Sequence, residues 1–493
     1  MQNRRHNLFS FLCLFVLAFV FQGNAQSPTS SPYSRFGLGD FAPNKVFAQS
    51  AALGGSGIAL KNDTLLPLFI NPTNPASYTG MRLATFEVGL NTIFNKYSTT
   101  TSTSQGNNTS FNYLALAFPI RQNMGACIGV MPASSVGYKI TETSDIENIG
   151  SVTELYEGDG GINNLFIGIS GAPFGKSYRK FLSSHSLKEL RDSGKVDIVR
   201  KKMFVKRWLS SLSIGANGHY YFGTINNTSR VIYPTQSNFF NTAQRYQTQV
   251  KDFTGSFGIQ NTFTIDYVSA GKDTSKTSPT YGQKKRRDLK QNIEISWGYT
   301  YSMNNDLRAY YSNFAYTFLY KGNGINEYIR DTVNFVEDMR TNITLPTMHG
   351  IGLSIRKGNK LNIVADYEMQ LWSGFKYLNE KAQFADMKRI SFGAEYIPNK
   401  LTNTKGSYWK KIQYRIGGKY NDGKLLINDQ RVNEYGITVG LGLPVGMNRA
   451  LNTFNIAAEF GKVGNKDLVE HNYIQVKLGF TFNDRWFIKY KYD

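Results

Sequence analysis

The sequence predicts an all-β protein, a transmembrane antiparallel β-barrel of twelve to sixteen strands preceded by an export signal and a lumenal plug. Three observations predict it. Long stretches alternate apolar and polar residues with a period of two. The chain carries 30 Tyr and 34 Phe, yet its mean hydropathy is −0.35. After the first 25 residues there is no apolar run of the roughly 20 residues that a membrane helix needs. A barrel wall reconciles the three, because lipid-facing and lumen-facing side chains alternate and the average cancels.

Residues 1–25 read as a secretory signal. Arg4 and Arg5 supply the positive start, Leu8 to Phe21 the apolar core, and Gly23-Asn24-Ala25 the small-residue cleavage site. The mature chain is expected to begin at Gln26, and no cysteine there invites a lipid anchor. Cys13 leaves with the signal and Cys127 remains alone, so neither a disulfide framework nor a cysteine-based metal site is expected. The formal charge of +21 stays strongly positive after Arg4 and Arg5 are removed. Export argues against nucleic acid as the partner of that charge. The anionic lipid and lipopolysaccharide of a Gram-negative outer membrane are the expected partners.

Residues 26–81 are expected to form an N-terminal arm and a hatch. The arm begins with a Ser/Thr/Pro spacer and continues through Ser31 to Asp40, read as irregular chain on the periplasmic side or in the lumen. The hatch runs from Ala52 to Ala76 and reads ALGGSGIALKNDTLLPLFINPTNPA. Gly54, Gly55 and Gly57 open it, and Asn74-Pro75-Ala76 close it. Pro67, Pro72 and Pro75 cannot donate to a sheet ladder, which keeps this segment out of the wall. A compact, glycine-rich and proline-punctuated segment ahead of a barrel suits a plug lying inside it.

Residues 82–493 are expected to build the barrel. In Leu361–Leu371, the residues Leu361, Ile363, Ala365, Tyr367, Met369 and Leu371 share one face. Asn362, Asp366, Glu368 and Gln370 share the other, with Val364 as the exception. Ile293 to Tyr301 and Ile474 to Phe482 repeat the pattern. Sixteen candidate strands emerge, near 82–96, 109–119, 123–139, 161–172, 208–224, 251–268, 289–302, 307–320, 347–357, 361–372, 388–397, 409–420, 433–443, 452–461, 472–482 and 485–492. Most run for about 10 to 16 residues, longer than the usual soluble strand and enough to cross a bilayer at a tilt. Stretches 140–160, 226–250 and 321–346 read as long loops, and the loops do not phase consistently enough to assign their sides.

The third candidate strand carries Met131-Pro132-Ala133-Ser134-Ser135-Val136-Gly137. Proline removes a ladder bond, so a bulge or kink is expected there. Lumen-facing charges of mixed sign (Glu294, Asp366, Glu368, Glu395, Arg415, Glu459, Lys477 and Lys489) are expected to form a cross-strand ion-pair ladder. A basic insert at 173–207 holds eleven Lys/Arg against Glu189, Asp192 and Asp197. It reads as a solvated loop or as a dock for lipopolysaccharide phosphates or a partner. Ser170 to Ser177 falls short of a phosphate loop, because its first glycine is missing and no strand–loop–helix context supports it. His185, His219, His349 and His471 lack metal-ligand spacing. No catalytic constellation, cofactor motif or metal site is visible, and the expected function is not enzymatic. A barrel-embedded lipid hydrolase would need a Ser/His pair within hydrogen-bond reach at the wall.

The Asn74-Pro75-Ala76 box with its upstream glycines, the proline-broken third strand and the aromatic final strand Arg485–Asp493 together resemble the FadL/TodX family of outer-membrane transport proteins. The resemblance covers nearly the whole mature chain, although Tyr492-Asp493 and the basic insert depart from it. It implies fourteen strands with the N-terminal hatch in the lumen. It further implies passive transport of hydrophobic small molecules such as long-chain fatty acids, by movement of the Gly54 to Ala76 segment and lateral exit at a gate of Pro132, Ser134, Ser135 and Gly137. PorV-like barrels of type IX secretion share the architecture. They imply the alternative, a partner in protein secretion or outer-membrane assembly.

Overall fold

A computed structural model describes residues 31–41, 47–62, 68–175, 205–206, 208–234, 239–272, 284–321, 326–358, 360–381, 384–398, 407–445, 452–484 and 486. The signal, most of the basic insert, Lys489 and all of the expected final strand except Trp486 lie outside these residues. Trp486 is exposed and belongs to no strand.

The principal strands are β1 (Ala84–Ser98), β2 (Thr103–Arg121), β3 (Met124–Pro132), β4 (Tyr138–Ile146), β5 (Gly150–Gly171), β6 (Ser213–Ile232), β7 (Asn241–Lys272), β8 (Lys284–Ser302), β9 (Asp306–Lys321), β10 (Asn326–Thr344), β11 (Thr347–Lys357), β12 (Leu361–Leu371), β13 (Met387–Tyr396), β14 (Gln413–Asn421), β15 (Glu434–Val445), β16 (Asn452–Val463) and β17 (Glu470–Asp484). Each pairs antiparallel with its neighbours, and β17 returns to β1 in unbroken register from Ala84↔Asp484 to Ser98↔Glu470. The wall is therefore closed and has no free edge along that seam. Among the described residues, the order β1-β2-β3/β4-β5-β6-β7-β8-β11-β12-β13-β14-β15-β16-β17 gives fourteen wall positions, with β3 and β4 sharing one.

Residue alternation sets which face looks where. On β12, Asn362, Val364, Asp366, Glu368 and Gln370 are buried towards the lumen, while Ile363 and Tyr367 are exposed outward. Val364, the apolar exception, packs inward on Leu53, Leu60 and Phe69. Outward residues such as Phe86, Ile351, Ile390, Phe392, Ile416 and Ile437 continue an apolar belt around the wall. Such a belt belongs in lipid, and this is a barrel that spans a membrane.

Both ends of the wall, at Ala84 and Asp484, lie at one end of the barrel, here the terminal end. The tight joins at Arg121–Met124 and Lys357–Leu361 lie there too, as does the departure of the basic insert between β5 and β6. At the opposite, far end the expected loops are sheet instead. Stretches 140–160, 226–250 and 321–346 contain β4, the first half of β5, parts of β6 and β7, and β10. With β9 they form one projecting sheet in the order β4-β5-β6-β7-β9-β10. Candidate strand 307–320 is β9 of this sheet and not a wall strand. Its β7 partner residues are 241–250, whereas 256–272 of β7 stay in the wall with β8. Gly160 lies between the part of β5 paired with β4 and the part paired with β3, and its φ of +96° suits glycine. Alternation fails along β10 because most of its residues on both faces meet solvent.

Candidate functional site: the hatch, the arm and the wall break

The hatch is held by what the wall lacks. Gly393 and Gly417 leave room for Leu53, Gly440 for Ala52, Gly215 for Pro75, Gly258 for Asn74, Gly298 for Ile58 and Gly125 for Tyr78; a Cβ at any of these positions would collide with the hatch. Gly54 itself has φ +70° and lies against the carbonyl oxygens of Phe392 and Gly418, a conformation and a space open only to glycine.

Polar bonds complete the seating. Asp366 Oδ2 accepts from the amides of Gly57 (2.6 Å) and Ile58 (2.9 Å). The Gly54 amide donates to Thr438 Oγ1 at 2.9 Å, and Ser56 Oγ donates to Ser391 Oγ at 2.9 Å. Asn74 explains the Asn-Pro-Ala box. Its Oδ1 accepts from the Ala76 amide (3.0 Å), capping the short turn Pro75–Gly80. Its Nδ2 donates to Ile58 O (2.8 Å) and to Ile259 O on β7 (3.3 Å), tying both halves of the hatch to the wall.

Asp366 thus serves the hatch and not an ion pair. The other lumen charges follow the expected ladder more closely: Arg356–Glu294 at 3.7 Å, Arg389–Glu368 at 3.3 Å, Arg415–Glu395 at 2.7 Å and Lys419 to Glu434 (2.8 Å) and Glu459 (2.7 Å). Lys477 stands on β17 opposite Ala457 and makes no ion pair with the described residues.

The third wall position is broken. β2 pairs with β3 only as far as Leu114↔Val130; from Thr103 to Tyr113 it pairs with β1 alone, and β4 pairs with β5 alone. Residues Ala133 to Gly137 turn inward between β3 and β4. Ser134 stays fastened to β5, its amide donating to Ile162 O (3.0 Å) and its Oγ accepting from the Ile162 amide (3.1 Å).

Behind the break lies the arm, in the far-end half of the lumen rather than on the terminal side. The Ser31 amide donates to Gly137 O (3.3 Å), the Gly137 amide to Ser34 Oγ (3.2 Å), and the Asp40 amide to Ser135 O (3.0 Å). Pro132, Ser134, Ser135 and Gly137 therefore sit together at the break, and Ser135 and Gly137 bond the arm directly. Leu38 and Phe41 enter one continuous apolar cluster with Ala133, Val136, Ile162, Tyr221, Ile225, Val250, Leu307, Ile343, Met348, Trp372 and Phe375. At the far end Trp372 meets Phe41 (centroids 5.8 Å), Phe375 (5.2 Å) and Phe384 (5.7 Å). Lys424 lies over Trp372 at 4.0 Å and donates to Gly39 O at 3.2 Å. Burial pushes its ammonium down to about 8, against the opposing pull of Asp40.

One constellation had no signal in the sequence. His219 Nε2 lies 2.8 Å from Ser256 Oγ, and His219 Nδ1 lies 3.2 Å from Asn164 Oδ1. The three come from β6, β7 and β5 and are buried in the lumen. The contacts of Lys424 and the arm were equally invisible, since both depend on far-end loops whose positions no local pattern fixes. Among the described residues no group of three or more His, Cys, Asp or Glu is arranged to hold a metal.

A family profile described as BamG matches residues 8–177 and 267–493. No curated protein matches the chain. Among solved structures, the Pseudomonas putida toluene transporter TodX is 13% identical, with 91% of this chain and 100% of that one covered at a TM-score of 0.49. The Ralstonia pickettii toluene transporter TbuX gives 13%, 91%, 100% and 0.48. A Pseudomonas aeruginosa FadL homologue gives 10%, 90%, 98% and 0.44.

Proposed function

This chain belongs to the BamG family, and from that footing we propose that it is a gated outer-membrane conduit for small hydrophobic molecules. The observation that carries the proposal is the apolar cluster running from Trp372 and Phe375 at the far end to Ala133 and Val136 at the wall break. Leu38 and Phe41 of the arm fill its middle. If the arm withdraws, the remaining members line a greasy passage from mouth to break, suited to ligands without charge. Entry is at the far end, and exit is sideways between β2 and β4 into the membrane. Long-chain fatty acids are the finer reading, consistent with that lining. The hatch from Ala52 to Ala76, with the flanking residues 47–51 and 77–81, closes the terminal half, and Gly54, Gly57 and Asn74 hold it in place.

The test locks the arm to the break with Leu38→Cys and Val136→Cys, followed by oxidation. Uptake of a labelled fatty acid or toluene into cells should fall to background when the bridge forms and recover on reduction. Uptake that ignores the bridge would remove the lateral route.

A second reading, a partner barrel in secretion or outer-membrane assembly, is favoured by the projecting sheet. Its last strand, β10, pairs through most of its length with β9 alone and exposes Tyr328, Val333, Phe335 and Met339. An open, apolar strand edge invites another chain. Mild-detergent purification of the whole barrel followed by mass spectrometry decides between the two. A stoichiometric protein companion lost on deleting 326–340 favours the partner; an apolar small molecule without companions favours transport. Export delivers the chain from the periplasm, so the terminal end faces that side. The basic insert at 173–207 then meets phospholipid or a periplasmic protein in preference to lipopolysaccharide.

A further inference from the structure

We propose that Asn164, His219 and Ser256 form an acyl-transfer triad beside the apolar passage, with carboxylic esters of hydrophobic acids or alcohols as its substrates. The three occupy adjacent strands, with Phe166 opposite His219 and Asn217 opposite Ser256, so their side chains step diagonally across one patch of lumen wall.

The hydrogen-bond order is that of an activated nucleophile. Asn164 Oδ1 can only accept, so the proton of the neutral imidazole sits on Nδ1 and is donated to it. Nε2 is then left with its lone pair towards Ser256 Oγ, which donates to it at 2.8 Å. His219 is the general base, Ser256 the nucleophile and Asn164 a positioning residue.

A second observation separates this patch from an ordinary polar ladder. Asn164 is wholly buried, yet its Nδ2 has no hydrogen-bond partner, and Thr254 Oγ1, two residues before Ser256 on the same face, has none either. Unmet buried donors are costly in a purely structural role. Beside the nucleophile, the Thr254 hydroxyl is placed as a donor for a developing oxyanion, while Asn164, across the His219 ring from Ser256, keeps its positioning role.

Access runs through the arm. His219 stacks on Tyr221 with centroids 6.2 Å apart, and Tyr221 meets Phe41 at 6.2 Å. Withdrawal of Phe41 opens the passage towards the triad, which the closed arm keeps covered.

In the reaction, Ser256 Oγ bonds to the ester carbonyl carbon as its proton passes to His219 Nε2. The carbon–oxygen bond to the alcohol then breaks, and the alcohol leaves with that proton. Water, the co-reactant, gives its proton to His219 and attacks the acyl-serine. The free acid departs and the Ser256 hydroxyl is restored.

The experiment uses the full-length barrel in detergent and an alkyl fluorophosphonate, which forms an oxygen–phosphorus bond to an activated serine with loss of fluoride. Peptide mapping should place the adduct on Ser256, faster in Phe41→Ala and in the independent arm variant Leu38→Ala. His219→Gln should slow it about a hundredfold or more, the usual scale of a general base. Asn164→Ala should shift the pH profile of labelling, which a merely structural residue would not do. Heat-modifiable mobility on unboiled gels reports that each barrel is folded. No adduct on Ser256 in folded arm variants, or equal labelling in His219→Gln, overturns the triad. Labelling requires no flux, so its failure is distinct from a failure of transport.

Discussion

Asp366 shows how much one lumenal side chain carries. Its carboxylate takes two hatch amides at once, from Gly57 and Ile58. Hydrogen bonds to a charged group contribute about 1.5–3 kcal/mol each at most. Asp366→Ala should loosen this part of the hatch by about 2–3 kcal/mol, read as faster amide exchange at Gly57 and Ile58 with the wall strands unchanged. The sequence marked Asp366 as lumen-facing, because alternation along 361–371 is a local property. It did not reveal the partner, because nothing in residues 54–58 encodes which of fourteen strands they will meet. Gly54 and Asn74 were legible as special positions for a similar local reason: glycine runs and an Asn-Pro step restrict their own backbone. The Asn164–His219–Ser256 group was not, since its members are joined only by strand register.

At the scale of elements, legibility followed the solvent. Strands with lipid on one side and lumen on the other, such as β12, could be read residue by residue. Strands β4 and β10 have water on both sides for most of their length, so period-two patterning never arises and they read as loops. The projecting sheet is tied by ion pairs instead. Glu327 on β10 pairs with Arg230 of β6 (2.7 Å) and Arg245 of β7 (2.6 Å) and accepts from Tyr316 of β9 (2.5 Å). Burial alone would raise its carboxyl, but Tyr316, Arg230 and Arg245 outweigh burial and hold it below the ordinary 4.5. A depressed acid contributes stability that is present above its unfolded value and lost as pH falls through the folded one. The β9–β10 edge should therefore hold from neutral pH down to about 4.5 and open progressively below it, as hydrogen exchange would report. In Glu327→Gln the edge should already be loosened at pH 7, with the acid transition diminished.

For the whole molecule, the closed state is set where arm, break and far-end loops meet. Lys424 is disfavoured as an ammonium there, with a value of about 8 against an ordinary 10.5. Between those two values the released arm state binds more protons than the closed one, so closure strengthens as pH rises from 8 to 10.5 and is flat below. A spin label at Arg35→Cys should become less mobile across that window, and Lys424→Met should flatten the response. The global outline was legible: plug, barrel, and a broken third strand. What stayed hidden was that the arm, and not the hatch, backs the break, because residues 31–41 carry no periodicity to place them.

The seam between β1 and β17 fixes the order in which the molecule can be made. Thr85 and Asn483 share a hydrogen bond across 398 positions of chain, so the last strand must be delivered before the wall can shut. The hatch precedes β1 and is ringed by the wall. It must already be in place when that long-range contact forms, like a ship in a bottle built before the neck is drawn. Loop-closure entropy makes such a contact slow to form, and the plug is then trapped by topology as well as by affinity. A finished barrel lacking residues 47–81 could not be repaired by supplying that peptide afterwards without reopening the seam.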